Sequence, residues 1–157
     1  MIETPQITDT ERQIAAVIHI TVPRDQIQTV MEPAIKEVLA AISDQELTLA
    51  GPLFAYHLTT SPESFDFQVG FPVSEAVKPV GRVKAGALPA TRVARTVYQG
   101  PYEGLFGAWK EFGQWIKTQD LERGGTLWER YVTGPETDLD PSTWRTELNV
   151  PVAETAR

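Results

Sequence analysis

The stretch Thr143–Val152 reads Thr-Trp-Arg-Thr-Glu-Leu-Asn-Val-Pro-Val, with apolar and polar residues alternating and a proline only near its far end. Such alternation, with β-branched and aromatic side chains and a late proline, marks a β-strand. Its middle holds Glu147, a carboxylate where strands seldom place one. The pattern has occurred before, at Phe65–Val73, as Phe-Asp-Phe-Gln-Val-Gly-Phe-Pro-Val. Superimposing the two Pro-Val ends pairs Phe65 with Trp144, Gln68 with Glu147 and Pro72 with Pro151. A closing strand that echoes an earlier one points to two copies of one module.

The order of elements along the chain fits that constraint. Residues 1–13 are polar, contain Pro5 and a mixed run of charges, and are expected as a short edge strand or extended arm. Ile14–Val22 is rich in β-branched residues and predicts a strand, with Ile14, Ala16, Ile18 and Ile20 on one face and His19 on the other. His19 is expected to be structural or solvated there. Pro23 opens a helix from about Asp25 to Ser43, whose apolar stripe runs Ile27, Val30, Met31, Ala34, Ile35, Val38, Leu39, Ile42. Pro33 lies inside it and predicts a kink, or two short pieces meeting there.

Gly51-Pro52 marks a turn, Pro52–Thr59 a strand, Thr60–Ser64 a short connection and Phe65–Val73 the returning partner. Residues 74–89, with Lys78-Pro79-Val80-Gly81 and Gly86-Ala87-Leu88-Pro89, predict a linker. Ala90–Tyr98 is the next strand. Pro101 suits the first turn of a helix from about Tyr102 to Gln119 that carries Leu105, Phe106, Trp109, Phe112 and Ile116 at helical spacing. Thr126–Thr133 is a strand, Gly134–Pro141 a loop, and Ala153–Arg157 a frayed tail. Each half thus reads strand, helix, strand, strand. Two βαββ units, at about 14–73 and 90–152 with linker 74–89, predict one α+β domain over residues 1–157. Its expected form is one antiparallel sheet with both helices on one face and a cleft between them.

Composition removes several chemistries. The sequence has no cysteine, which excludes thiol nucleophiles, thiolate metal sites and disulfides. With only His19 and His57, a histidine-rich zinc site and a serine–histidine relay are not expected, and no metal or cofactor is implied. A net charge of −7 disfavours direct contact with nucleic acid. No run of about 18 apolar residues occurs and the start does not resemble a signal peptide, so the expected location is the cytoplasm, away from membranes.

Several runs are similar to the GyrI-like small-molecule-binding domains. They are Gly51-Pro52-Leu53-Phe54-Ala55-Tyr56, Leu88-Pro89-Ala90-Thr91-Arg92-Val93-Ala94 and Tyr98-Gln99-Gly100-Pro101-Tyr102-Glu103-Gly104-Leu105. The closing part adds Trp128-Glu129-Arg130-Tyr131, Asp140-Pro141, Arg145-Thr146-Glu147-Leu148 and Pro151-Val152. The likeness covers roughly Ile14 to Val152 and extends to the effector-binding halves of multidrug-responsive transcription regulators. It implies a duplicated βαββ fold, an SHS2-like pair, with a pocket for amphipathic, often planar and cationic ligands. Such pockets use aromatic walls and one or two buried glutamates. Carried over, the glutamates are Glu129 and Glu147, with Tyr56 and Tyr98 as walls and Phe54 and Trp109 beside them. The chain shows no helix-turn-helix segment, so a stand-alone copy is expected. Some stand-alone relatives hydrolyse cyclopropane-bearing toxins, and on that alternative Glu147, Glu129 and Tyr56 are the catalytic candidates. A third alternative is a protein-directed inhibitor of the gyrase type, which would have a protein partner.

Strand periodicity treats the two glutamates differently. Glu129 shares a face with Leu127 and Tyr131, whereas Glu147 points away from the face of Thr146, Leu148 and Val150. Alternation alone therefore leaves Glu147 as a solvated sheet residue, while the resemblance draws it into the pocket. For Glu129 the plain alternative is an ion pair with Arg92, Arg95 or Arg130, and its approximate counterpart in the first half is Tyr56. Trp109 fits the helix stripe, where a core role is commoner than a ligand wall. Trp115 lies off that stripe's centre.

Overall fold

The computed structural model describes residues 2–60, 63–133 and 139–154. In chain order its elements are β1 (Gln6–Asp9), β2 (Gln13–Pro23), α1 (Ile27–Asp44), β3 (Phe54–Thr60), β4 (Ser64–Pro72) and β5 (Lys84–Leu88). They continue as β6 (Arg92–Gln99), α2 (Leu105–Thr118), β7 (Leu121–Arg123), β8 (Leu127–Thr133) and β9 (Arg145–Glu154). The expected turn at Thr60–Ser64, the loop at Gly134–Pro141 and the tail at Ala153–Arg157 lie partly outside the described residues. The chain divides into an N-terminal unit of residues 11–90 and a C-terminal unit of residues 1–10 with 91–157. Both are mixed α+β with antiparallel strands.

In the N-terminal unit the strand order is β3-β4-β2-β5. β2 is buried on both faces from Ala15 to Ile18, the reason its sequence is an almost continuous apolar run. The helix α1 buries Ala34, Val38 and Ile42 of the expected stripe together with Ala41, which lay outside it, and leaves Leu39 at the edge. It runs as one helix through Pro33, which removes the second of the two forms expected there, a division into two pieces. Pro33 and Thr29 are both exposed, so water can serve the Thr29 carbonyl that the proline leaves without a donor. The supposed linker contains a strand, β5, built from Lys-Ala-Gly-Ala-Leu. Its small residues hide it from a propensity reading. Gly86 is small for a reason: a Cβ there would stand 2.8 Å from the Val17 side chain.

In the C-terminal unit the order is β1-β6-β9-β8, and the short β7 pairs with the far end of β9. Ala108, Phe112 and Ile116 of α2 pack on Ala94, Tyr98, Leu148, Val150 and Val152. Leu127, Trp109 and Trp115 close the margin of that cluster. Register fixes which residues share this face. Thr96 and Glu129 both pair with Leu148, and Tyr98 and Tyr131 both pair with Thr146.

The register also slips at one place in each unit, between His57 and Thr59 on β3 and between Tyr131 and Thr133 on β8. Aligning the two bulges sets Tyr131 against His57, Thr146 against Phe67, Tyr98 against Ile20 and Glu147 against Gln68. The position matching Glu129 is therefore Ala55, not Tyr56, which matches Arg130. The sequence pairing of Tyr56 with Glu129, an approximate one, was one residue off because β3 and β8 share no motif like the Pro-Val end that aligns β4 with β9.

Candidate functional site

Pro101 ends strand β6 and starts a single 3-10 turn, Tyr102–Gly104, that leads into α2. That turn is pinned from below. The Tyr98 hydroxyl donates to the Pro101 carbonyl at 2.8 Å, and it lies so close to Gly104 that a Cβ there would collide with it. Gly100, with φ of 144°, sits in a region that favours glycine, and its N–H donates to the Trp144 carbonyl at 2.8 Å. These constraints bring Tyr102 beside Trp144, with ring centres 4.9 Å apart, and edge-on to Tyr131 at 5.8 Å.

Glu129 lies within this aromatic setting. It is buried, with 9% of its surface exposed, on the sheet face that α2 covers. The Trp109 indole N–H, reaching from α2, donates to Oε2 at 2.6 Å. The Tyr131 hydroxyl donates to Oε1 at 2.8 Å. Among the described residues no Lys, Arg or His nitrogen lies within 4.0 Å of the carboxylate. The three arginines that offered a plain alternative are engaged elsewhere: Arg92 with Asp9, and Arg95 and Arg130 with Glu147. Burial pushes the Tyr131 hydroxyl well above the usual tyrosine range, and the charge of Glu129 adds to the rise. Tyr131 therefore stays protonated and acts as a donor. A buried carboxyl group that meets two neutral donors and, among the described residues, no cationic side chain leaves room for an incoming cation to complement it.

Glu147 occupies the opposite face of β9. Arg130 Nη1 donates to both its oxygens at 3.0 and 3.2 Å, Asn149 Nδ2 donates at 3.0 Å, and Arg95 Nε lies 3.4 Å away. The structure therefore does not bring the two glutamates together. Periodicity put Glu147 on the right face, although the side chain is packed among arginines rather than solvated. Fully buried Trp128 shares that face beside Asn149.

Of the remaining candidates, Trp109 meets Glu129 directly, and Tyr98 serves as the brace beneath Tyr102. Phe54 and Tyr56 belong to the N-terminal unit, on the face of β3 that aligns with Gln68 and His19. His19 itself is exposed and paired to Asp66. Trp115 stacks on Phe112 at 6.5 Å. Tyr131, Tyr102 and Trp144 are the site residues that sequence reasoning did not nominate. Tyr131 was legible as the residue two places beyond Glu129, hence on its face. Trp144 carried no such signal, because it precedes its strand and is placed by Gly100. Among the described residues, no group of three or more His, Asp or Glu could hold a metal ion, and no helix is long and apolar enough to cross a membrane.

A family model described as GyrI-like small molecule binding domain matches residues 3–153. Among solved structures, the EcmrR C-terminal domain aligns with a TM-score of 0.85 at 19% identity, covering 97% of this chain and 98% of that one. In the EcmrR–DNA complex the TM-score is 0.82 at 21% identity over 97% of this chain, which spans only 58% of the EcmrR chain. SAV2435 bound to tetraphenylphosphonium aligns at 0.72 with 14% identity, over 96% of this chain and 94% of that one. A hydrolase from Listeria innocua aligns at 0.62 with 14% identity, over 95% and 91%. At these identities the likeness is one of fold. No curated protein matches the chain.

Proposed function

The chain belongs to the GyrI-like small molecule binding domain family, and from that premise we propose that its C-terminal unit is a receptor for amphipathic, planar or cationic compounds anchored on Glu129. The observation that carries this reading is the buried Glu129 carboxylate, bonded by Trp109 and Tyr131 and paired to no cation among the described residues. A lipophilic cation supplies the missing charge. Each aromatic face adds a cation–π attraction of about 0.5–2 kcal/mol. The relative bound to tetraphenylphosphonium supports the ligand class by likeness of fold. We also read the two strand–helix–strand–strand sets as copies of one module, with Glu129 in the C-terminal copy where the N-terminal copy has Ala55.

Titrating tetraphenylphosphonium into wild type and Glu129→Gln, followed by tryptophan emission, tests the reading. The glutamine variant keeps the shape and loses the charge. Binding is expected to weaken by about tenfold or more, equivalent to about 1.4 kcal/mol. Equal binding by both proteins would remove Glu129 from the site.

One observation favours a second reading, hydrolysis of an electrophilic cyclopropane conjugated to a carbonyl. Glu129 and a protonated Tyr131 stand in hydrogen-bond contact, which suits a base and an acid. The net reaction would add one water: hydroxyl to a ring carbon, the ring bond's electron pair to the carbon beside the carbonyl, and a proton to that carbon. Recovery of the probe with the mass of one water added, absent with Glu129→Gln, separates this reading from pure binding.

A further inference from the structure

Thr146 is a polar residue that the cation reading leaves unused. It is fully buried, and its Oγ1 has no hydrogen-bond partner among the described residues. Register places it on β9 between Tyr98 of β6 and Tyr131 of β8, on the face that carries Glu129. Neither neighbour's hydroxyl donates to it. Tyr98 donates to the Pro101 carbonyl and Tyr131 to Glu129, each at 2.8 Å.

A β-branched residue suits a strand, but valine would fill the same volume without burying an unmet donor and acceptor. The N-terminal unit is apolar at this position, where the bulge alignment sets fully buried Phe67, flanked by Ile20. A hydroxyl is therefore not a requirement of the fold at this point in a strand. Together with Glu129 and Tyr131 it forms a polar set on one sheet face, in which the charge is bonded and the hydroxyl is not.

Resting on the reading of Glu129 as a cation anchor, we propose that Thr146 is the specificity-determining residue of the site. It selects cations that also carry a hydroxyl or carbonyl over apolar cations of the same size. A ligand group that bonds Thr146 satisfies an atom that has no bond to give up. A ligand lacking that group leaves the atom as it stands in the free protein, so it loses nothing and gains nothing, and the hydroxylated ligand is favoured by the bond that it alone adds.

The test uses matched probes at neutral pH, phenyltrimethylammonium and its 3- and 4-hydroxy derivatives, titrated calorimetrically into wild type, Thr146→Val and Thr146→Ser. Wild type is expected to favour at least one hydroxylated probe by about tenfold. Thr146→Val should abolish that preference while binding phenyltrimethylammonium as wild type does, and Thr146→Ser should keep it. Thr146→Val should also melt no lower than wild type without ligand, because no bond is lost. A preference that survives in Thr146→Val, or no preference in wild type, overturns the assignment of Thr146 while leaving the anchor intact. If none of the three cations binds wild type, the cation reading of Glu129 fails and this inference fails with it.

Discussion

Glu129 and Glu147 sit on neighbouring strands, and parity alone gives them different surroundings. Glu147 neutralises one of two guanidiniums on its face, so replacing it strands positive charge. We expect Glu147→Gln to lower stability by about 1–3 kcal/mol, read as a shift in urea midpoint, and to leave cation affinity unchanged. The effect should fall below that of a fully buried pair, because Arg95 and Arg130 keep 32% and 25% of their side-chain surface exposed. Tyr131 makes a different prediction, in pH. Its proton is held in the folded state beyond the point at which unfolded tyrosines release theirs. Above about pH 10 the unfolded chain therefore binds fewer protons than the folded one, and stability falls as pH rises. Below that pH the contribution is complete. Tyr131→Phe should flatten this alkaline decline, which melting curves from about pH 8 to about pH 11 would reveal; an unchanged slope would mean that the hydroxyl is not shielded as described.

At the level of elements, α1 carries a defect that the fold tolerates. Pro33 removes one helix hydrogen bond at an exposed position without dividing the helix. Pro33→Ala should restore that bond and stabilise the protein by about 1–2 kcal/mol, after the looser unfolded chain offsets part of the gain. An equilibrium urea titration with unchanged slope would show it; a loss of stability would mean that the ring packs usefully. The long elements were legible because their side chains advertise a period: the stripe on α1, the aromatic stripe on α2 and the Pro-Val echo of β4 and β9. β5 and β7 were not, for physical reasons. β5 is centred on Gly86, which Val17 keeps small, and β7, at Leu121–Arg123, is too short to display alternation. The bulges were invisible as well, and the lack of a shared motif in β3 and β8 hid the correct partner of Glu129.

Across the whole molecule, the two units share a strand order and a bulge position but differ in what those positions hold. Where one unit has Ala55, His57, Phe67 and Ile20, the other has Glu129, Tyr131, Thr146 and Tyr98. A net charge of −7 favours cations near the surface, but it could not say which half holds the carboxylate proposed as their anchor. That distinction depends on register, and sequence conveys register only as far as the next bulge. The same asymmetry has an evolutionary consequence. On the reading proposed above, selection on ligand range would act on the C-terminal half, so drift toward new compounds should accumulate on β8, β9 and α2. On that reading Ala55 and Phe67, both buried, would change in concert with their packing neighbours, and a lineage could exchange its chemistry without renegotiating its fold.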